Sequence, residues 1–266
     1  MGLTTINFES IYLHRNTSVN VFLPYAPRKG MSPREFYESG KKFKVLWLLH
    51  GGMADNSDWS RKSNIEVYAK KKGDLIVVMP DAMNSTYQNY DLLGGYNWPD
   101  FFFKELMPMI YGWLPASRKR EDNFIAGMSM GGVGTCICSL MHPELFSKVA
   151  VLSSAPMDFD KKEFYYEHGN DIQRRILEAY HGDEKAARAS YNNTWDRFLE
   201  IKGRDDLPSF YFSSGDKDLH HESIWMTFRK YAEENGLPIK FCVMPGYAHE
   251  WPLWDVEIKK FVENLY

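Results

Sequence analysis

The sequence contains few cysteines. Among its 266 residues there are three, Cys136, Cys138 and Cys242. An odd number of cysteines within apolar segments argues against a disulfide framework and is typical of buried, reduced thiols. Cys136 and Cys138 stand on either side of Ile137 in a predicted helix, so their side chains point in different directions. We therefore expect no metal site at these cysteines.

Long apolar runs and an excess of charge of one sign are missing as well. The formal net charge is -3, and basic residues form only short clusters. We therefore expect no binding to nucleic acid or to an anionic membrane. The first residues do not have the basic and apolar regions of a secretory signal, and no stretch is long enough to span a bilayer. These absences favour a cytoplasmic protein.

What the sequence does contain is the pattern of an α/β protein. Residues 6–12 and 18–23 alternate apolar and polar side chains, as half-buried antiparallel strands do. Residues 45–49 and 75–79 are continuous apolar runs, which indicates parallel strands covered by helices on both faces. The sequence therefore predicts a mostly parallel central sheet with antiparallel N-terminal strands.

A helical pattern lies between the two apolar runs. Ser63 and Glu66, at its start, have the spacing of a capping box. Strand and helix patterns then keep alternating to the C-terminus, except in residues 157–208. That segment is charged, aromatic and helical in pattern, without a buried strand. We predict one domain over residues 1–266, with 157–208 inserted as a helical cap over the strand ends.

The most specific motif is a G-x-S-x-G sequence centred on Ser129. An apolar run, residues 124–126, leads into it, and small and apolar residues follow it as a predicted helix. This order predicts the strand, nucleophile elbow and helix of the α/β-hydrolase fold, in which a strained turn exposes a serine hydroxyl. Gly127 and Gly131 flank the turn, where a Cβ would crowd the facing backbone. Ser129 is therefore the predicted nucleophile.

A serine nucleophile needs a histidine as base and a carboxylate that orients the histidine. In α/β-hydrolases these partners follow the serine in the order acid, then histidine. Among the histidines after Ser129, only His249 lies directly after a predicted final core strand. His142 precedes a proline at a helix end, and the adjacent His220 and His221 point apart, which disfavours a metal site. His249 is the predicted base.

Two carboxylates compete for the role of acid. Asp216 and Asp218 both follow Gly215 at the end of a predicted strand. Asp216 has the position of a turn residue, whose side chain bonds its own loop. We favour Asp218 as the acid and keep Asp216 as the alternative.

The oxyanion formed by attack on an ester carbonyl needs two N–H donors. The N–H of Met130, directly after the nucleophile, is one predicted donor. The second is expected from the glycine-containing loop after the first parallel strand, at Gly52 or Met53, which the sequence does not separate. In the same loop we interpret His50 as a loop-shaping residue rather than a second base.

With these motifs in order, the sequence resembles the esterase D-like branch of the α/β-hydrolases. That branch includes tributyrin-type esterases, feruloyl and acetylxylan esterases, and S-formylglutathione hydrolases. The matching segments are residues 48–52, 78–81, 126–132, 142–146, 215–218 and 246–251. In this family the acid is typically the last residue of a G-x-x-D turn, which agrees with Asp218.

The resemblance implies a serine carboxylesterase that works without a cofactor or metal. Its expected substrates are short-chain acyl esters or acyl and feruloyl esters of sugars, small or oligosaccharide, hydrolysed through an acyl-enzyme. Ala82 replaces a glycine that relatives often carry. S-formylglutathione hydrolases are associated with an extra histidine in the elbow and with a cysteine in the oxyanion loop. This sequence has neither residue at those places. Glutathione thioesters are therefore less expected.

Aromatic residues close to these motifs are candidates for substrate binding. They are Tyr87, Tyr90, Tyr96 and Trp98 in one loop and Trp251 beside the predicted base. They could form a wall that stacks on sugar or aryl rings, or simply pack under the cap. Two other functions stay open on the same sequence: acyl transfer to an alcohol by the same triad, and a catalytically silent carbohydrate-binding protein on the hydrolase fold.

Overall fold

The computed structural model describes residues 1–27, 29–90, 96–156, 158 and 179–266. Its centre is an eight-stranded sheet, accompanied by a two-stranded hairpin. The strands within the described residues are β1 (Gly2–Ser10), β2 (Arg15–Leu23), β3 (Lys44–Leu49), β4 (Leu75–Pro80), β5 (Asn89–Tyr90), β6 (Tyr96–Asn97), β7 (Asn123–Met128), β8 (Lys148–Leu152), β9 (Ser209–Gly215) and β10 (Ile239–Met244).

The described helices lie on the faces of this sheet or at its ends. They are α1 (Pro33–Glu38), α2 (Asp58–Lys62), α3 (Ile65–Lys72), α4 (Trp98–Asp100), α5 (Met107–Trp113), α6 (Met130–Met141), α7 (Glu184–Ala189), α8 (Thr194–Glu200), α9 (Met226–Glu234) and α10 (Trp251–Glu263). Phe101–Leu106 and His221–Trp225 are π-helical segments before α5 and α9, and Arg120–Asp122 and Pro143–Leu145 are 3₁₀ turns.

The sheet has the order β1-β2-β4-β3-β7-β8-β9-β10. Strands β1, β2 and β4 pair antiparallel, and all further pairs are parallel. The predicted α/β-hydrolase fold, with antiparallel N-terminal strands on a mostly parallel sheet, is confirmed. Because the carboxyl ends of neighbouring parallel strands meet at one edge of the sheet, the loops after β3 and β7 to β10 lie side by side.

Strand β3 shows why both faces of the sheet are covered. Val45, Trp47 and Leu49 belong to one buried apolar cluster, and Leu46 and Leu48 belong to another. Side chains alternate between the two faces of a strand, so the two clusters lie on opposite faces. The first cluster includes residues of α5, α6 and α9, and the second includes residues of α3 and α10. The continuous apolar runs in the sequence reflect this double burial.

The predicted capping box at Ser63 is wrong. Helix α3 begins at Ile65 with Asn64 as its N-cap, and Ser63 instead ends α2, where its hydroxyl and N–H bond the carbonyl of Trp59. The carboxylate of Asp255 in α10 accepts hydrogen bonds from the Asn64 N–H at 2.7 Å and from its amide at 3.1 Å. A contact from the far end of the chain therefore sets where α3 starts.

Part of the predicted cap is visible and packs with the core. In α8, Trp195 and Phe198 are buried in the same apolar cluster as Phe210 and Phe228, with the Phe198 and Phe210 rings 5.1 Å apart. Residues 157 and 159–178 lie outside the described residues, so the cap at 157–208 stays a prediction.

The cysteines agree only in part with the expectation of buried thiols. All three cysteines are free, with Cys136 and Cys138 buried and Cys242 half-buried. Burial raises the pKa of both buried thiols above the usual range. Within the described residues, no helix is both long enough and apolar enough to cross a membrane.

Candidate active site

Ser129 occupies a strained turn between β7 and α6. Its φ of 54° and ψ of -122° place a non-glycine residue in a sparsely populated region of backbone space. Backbone bonds hold this conformation: the Ser129 N–H donates to the carbonyl of Leu152 at 2.9 Å, and the Gly132 N–H donates to the carbonyl of Ser129 at 2.9 Å. The geometry is that of a nucleophile elbow.

The two motif glycines allow helix α6 to approach the sheet closely. A Cβ added at Gly127 would lie 2.2 Å from the carbonyl oxygen of Gly131. A Cβ at Gly131 would lie 2.5 Å from the carbonyl oxygen of Leu49, in the neighbouring strand β3. No side chain fits at such distances, so the elbow requires glycine at both positions.

Three side chains from separate loops are hydrogen-bonded in series. His249 Nε2 lies 2.9 Å from Ser129 Oγ, and His249 Nδ1 lies 2.9 Å from Asp218 Oδ2. An ionised carboxylate can only accept, so Nδ1 carries the proton toward Asp218 and the lone pair of Nε2 faces the serine hydroxyl. The Asp218 side chain is 1% exposed and that of His249 20%. The imidazole is therefore set to remove the hydroxyl proton of Ser129.

The Asp218 carboxyl is held in its ionised form. Burial raises its pKa, but hydrogen bonds and the charge of His249, the N–H of His220 and the hydroxyl of Ser153 outweigh burial, so that the pKa is lowered. The His220 N–H donates to Asp218 Oδ1 at 3.0 Å. A negative charge beside Nδ1 stabilises the imidazolium that proton transfer from serine creates.

Asp216 does not reach the histidine side chain. Its Oδ1 accepts a hydrogen bond of 2.7 Å from the backbone N–H of Gly246, in the loop that carries His249. Asp216 thus ties the two loops together. Of the two carboxylates left open by the sequence, the structure places Asp218 against His249.

Two backbone N–H groups beside Ser129 are available to an oxyanion. Met130 is the first residue of α6, where N–H groups have no acceptor within the helix. The loop after β3 touches the nucleophile, since a Cβ at Gly51 would lie 3.4 Å from Ser129 Cβ. The Met53 N–H already donates to Asn84 Oδ1 at 2.6 Å, whereas the Gly52 N–H has no acceptor among the described residues. The geometry favours Gly52 over Met53.

His50 is buried, and its two ring nitrogens bond backbone groups of its own loop and of the loop after β4. The Ala82 N–H donates to His50 Nε2 at 2.8 Å, and Nδ1 lies 2.7 Å from the carbonyl oxygen of Gly51. Because Nε2 accepts, Nδ1 carries the proton and donates it to Gly51. A histidine with both nitrogens bonded to backbone shapes the loop, in agreement with its interpretation from sequence.

Tyr87 and Trp98 do not form an exposed aromatic wall. Both are fully buried, their rings 4.5 Å apart, and the Tyr87 hydroxyl donates to the carbonyl of His50 at 2.8 Å. Trp98 also stacks on Phe102 at 5.1 Å. The predicted role of these two residues in substrate binding is corrected: they pack beneath the oxyanion loop because their rings find partners in the core.

The other aromatic candidates differ in their surroundings. Trp251 is half-buried at the start of α10, with its ring 5.2 Å from that of Trp59, and stays a predicted substrate contact. Tyr96 is half-buried in β6. The side chain of Tyr90 lies outside the described part of the structure.

Ser153 and Trp254 lie beside the site, although sequence reasoning did not select them. The Trp254 Nε1–H donates to Ser153 Oγ at 2.9 Å, and the Trp254 ring lies 5.1 Å from that of His249 at 86°. The only signal in the sequence is a serine directly after a buried strand.

Clusters of three or more potential metal ligands do not occur within the described ranges.

Comparison with known proteins identifies the family. The model of the Esterase family matches residues 10–260, nearly the whole chain. The chain belongs to this family. It is a carboxylic ester hydrolase on the α/β-hydrolase fold, as the motifs predicted.

Similar proteins span the full length of this esterase. An acetyl esterase of Caldicellulosiruptor saccharolyticus is 25% identical over 278 residues, covering 100% of this chain and 97% of the relative. The structure of an S-formylglutathione hydrolase from Staphylococcus aureus superposes with a TM-score of 0.80 at 24% identity, covering 99% and 98% of the two chains. A ferulic acid esterase from Anaeromyces mucronatus, in complex with ferulic acid, has a TM-score of 0.67 at 17% identity, covering 99% and 90%. These two structures support the fold.

Proposed function

We propose that this esterase hydrolyses its substrates through an acyl-enzyme on Ser129. The observation that carries the proposal is the series of two 2.9 Å contacts from Ser129 through His249 to Asp218. As Ser129 Oγ attacks the ester carbonyl carbon, His249 Nε2 accepts the hydroxyl proton. When the bond to the alcohol oxygen breaks, His249 returns that proton to the leaving alcohol. Asp218 stays ionised and orients the imidazole.

The second half of the reaction repeats these steps with water. His249 takes a proton from a water molecule, whose oxygen attacks the acyl carbon, and the bond from that carbon to Ser129 Oγ breaks as Oγ regains a proton. In both halves the N–H groups of Met130 and Gly52 stabilise the negative carbonyl oxygen. Removing one such donor typically lowers the rate by roughly 100-fold to 1000-fold.

Short acyl esters and acyl or feruloyl esters of sugars are the proposed substrates. The full-length similarity to an acetyl esterase supports a small acyl group. The ferulic acid esterase among the structural neighbours supports an aryl acyl group, and Trp251 is the half-buried aromatic residue beside His249 that such a ring could contact. A panel of acetyl, butyryl, feruloyl and acetylated xylo-oligosaccharide esters ranks these classes. Product analysis with an added alcohol separates hydrolysis from acyl transfer.

Replacement of the nucleophile tests the mechanism. We expect Ser129→Ala to lower kcat for p-nitrophenyl acetate by roughly 10⁴-fold or more, because no acyl-enzyme can form. A fluorophosphonate probe should label the wild type and leave Ser129→Ala unlabelled. Ser139→Ala is the matched control, since this buried serine donates within α6 to the carbonyl of Thr135 at 2.7 Å. Comparable turnover by wild type and Ser129→Ala would refute the proposal.

A further inference from the structure

Ser153 is a buried serine held in an unusual backbone conformation. It directly follows β8 and is 4% exposed. Its φ is 48°, in the left-handed region, and its N–H donates to the carbonyl of Ser213 in the neighbouring strand at 2.8 Å. Positive φ is costly for a residue with a side chain and persists only where the surrounding structure enforces it. The fold therefore fixes the backbone from which the Ser153 side chain projects.

The contact with Trp254 determines which way the Ser153 hydroxyl donates. The indole N–H can only donate, so in the 2.9 Å bond from Trp254 Nε1 the serine oxygen is the acceptor. The hydroxyl hydrogen must then point to another acceptor. The Ser153 hydroxyl is among the groups that lower the pKa of the Asp218 carboxyl, which, being ionised, can only accept. This effect points to Asp218 as the acceptor of the Ser153 hydroxyl hydrogen.

Trp254 also contacts the catalytic imidazole. Its ring meets that of His249 edge to face, with centroids 5.1 Å apart at 86°. Helix α10, which carries Trp254, begins at Trp251, directly after the loop of His249. One indole side chain thus contacts His249 through its ring and bonds Ser153 through its N–H. The ring of His220 also meets that of His249, with centroids 5.8 Å apart at 87°.

We propose that Ser153 and Trp254 are positioning residues that hold Asp218 and His249 in line with Ser129. The Asp218 carboxylate receives the imidazole N–H and the backbone N–H of His220, and the indole of Trp254, bonded to Ser153, packs against the same imidazole. Supporting hydrogen bonds of this kind keep a catalytic group in its productive geometry. The inference rests on the proposed acyl-enzyme mechanism and assigns two further residues to it.

Kinetics over a range of pH test the proposal on Ser153→Ala and Ser153→Gly. We expect kcat for p-nitrophenyl acetate to fall about 10-fold, as for the loss of one hydrogen bond to a charged group, while KM stays within about twofold because the serine is buried. The acid limb of the kcat/KM profile should move to higher pH. A carboxylate that has lost a donor attracts the imidazolium proton more strongly.

Two further variants separate positioning from folding. Glycine accepts the positive φ of residue 153 without strain, so Ser153→Gly decides the matter if Ser153→Ala fails to fold. Trp254→Phe keeps an aromatic ring beside His249 and removes the indole N–H, together with part of the ring volume. We expect it to lower kcat less than either Ser153 variant does and to shift the acid limb in the same direction.

The controls distinguish this inference from the mechanism on which it rests. Ser139→Ala should keep the wild-type kcat and pH profile. Folded Ser153→Gly with wild-type kcat and an unmoved acid limb overturns the inference, and so does a rise in KM alone, which would indicate a substrate contact. If Ser129→Ala retains activity, the acyl-enzyme mechanism itself fails.

Discussion

Two aspartates in one turn differ in what their oxygens accept. Asp218 is buried and accepts from the side chain of His249 at 2.9 Å, whereas Asp216 is exposed and accepts from the backbone N–H of Gly246 at 2.7 Å. In the proposed mechanism only the first contact requires a negative charge, because the imidazole becomes a cation during that reaction. The second needs an oxygen, which an asparagine side chain also supplies.

Asparagine at each position tests this difference between residues. We expect Asp218→Asn to lower kcat for p-nitrophenyl acetate by roughly 10⁴-fold, because the neutral amide no longer fixes the tautomer of His249. Asp216→Asn is the matched control and should retain most of the activity, since its amide oxygen can still accept from Gly246. A larger loss in Asp216→Asn than in Asp218→Asn would reverse the assignment.

At the scale of elements, the elbow depends on how closely α6 packs against β3. The carbonyl oxygen of Leu49 occupies the space that any side chain at Gly131 would need. In α5, by contrast, a Cβ at Gly112 would meet nothing within 4 Å. The two glycines are therefore a matched pair, one required by packing and one merely lowering helix propensity.

Alanine at the two positions should have opposite effects. We expect Gly131→Ala to lower the free energy of unfolding by about 1 to 3 kcal/mol, as overpacking does, and to lower kcat because α6 must shift with Ser129 at its start. Gly112→Ala should raise the free energy of unfolding by about 0.5 to 1 kcal/mol and leave kcat unchanged. Urea unfolding and turnover of p-nitrophenyl acetate measure both. Equal stability of the two variants would contradict the packing argument.

The sequence was informative where an element's form depends on its own residues. The elbow at Ser129 is specified by a short apolar run and flanking glycines, and it was predicted with its position in the fold. The start of α3 was mispredicted because the carboxylate that binds Asn64 comes from Asp255, remote in the chain. The sequence likewise did not show whether Tyr87 faces solvent or the core, because that depends on Trp98 and on helix α6, which pack against its ring.

At the scale of the whole molecule, the site is an array along one edge of the sheet. Strands β3, β7, β8, β9 and β10 are consecutive neighbours in the sheet. The loops after them carry, in that order, Gly52, Ser129, Ser153, Asp218 and His249. Strand order is a property of the assembled sheet, so the sequence predicted most of these residues singly and the fold explains why they meet. Ser153 was missed because its role depends on a neighbouring strand and on α10.

Carboxylates paired in the folded protein also make its stability depend on pH. Burial raises the pKa of Asp74, but hydrogen bonds from Tyr266 and Lys44 outweigh burial and lower it, and the pKa of Asp218 is lowered in the same sense. Lys44 Nζ lies 2.9 Å from Asp74 Oδ2. A pKa lower in the folded than in the unfolded state means that the unfolded chain binds more protons in acid. The free energy of unfolding that such a carboxylate contributes is fully present above its pKa in the unfolded chain. It is lost as the pH falls through its pKa in the folded protein.

We therefore expect the free energy of unfolding in urea to decrease as the pH falls below about 4, near the ordinary pKa of aspartate. Asp74→Asn and Asp218→Asn should each make this decrease shallower, because each removes one group whose proton affinity changes on folding. Ser139→Ala changes no titratable group and should shift the whole curve without changing its slope. If both aspartate variants keep the wild-type slope, acid destabilisation comes from other carboxylates, and the ionised state of Asp218 adds to catalysis without adding to the stability of the fold.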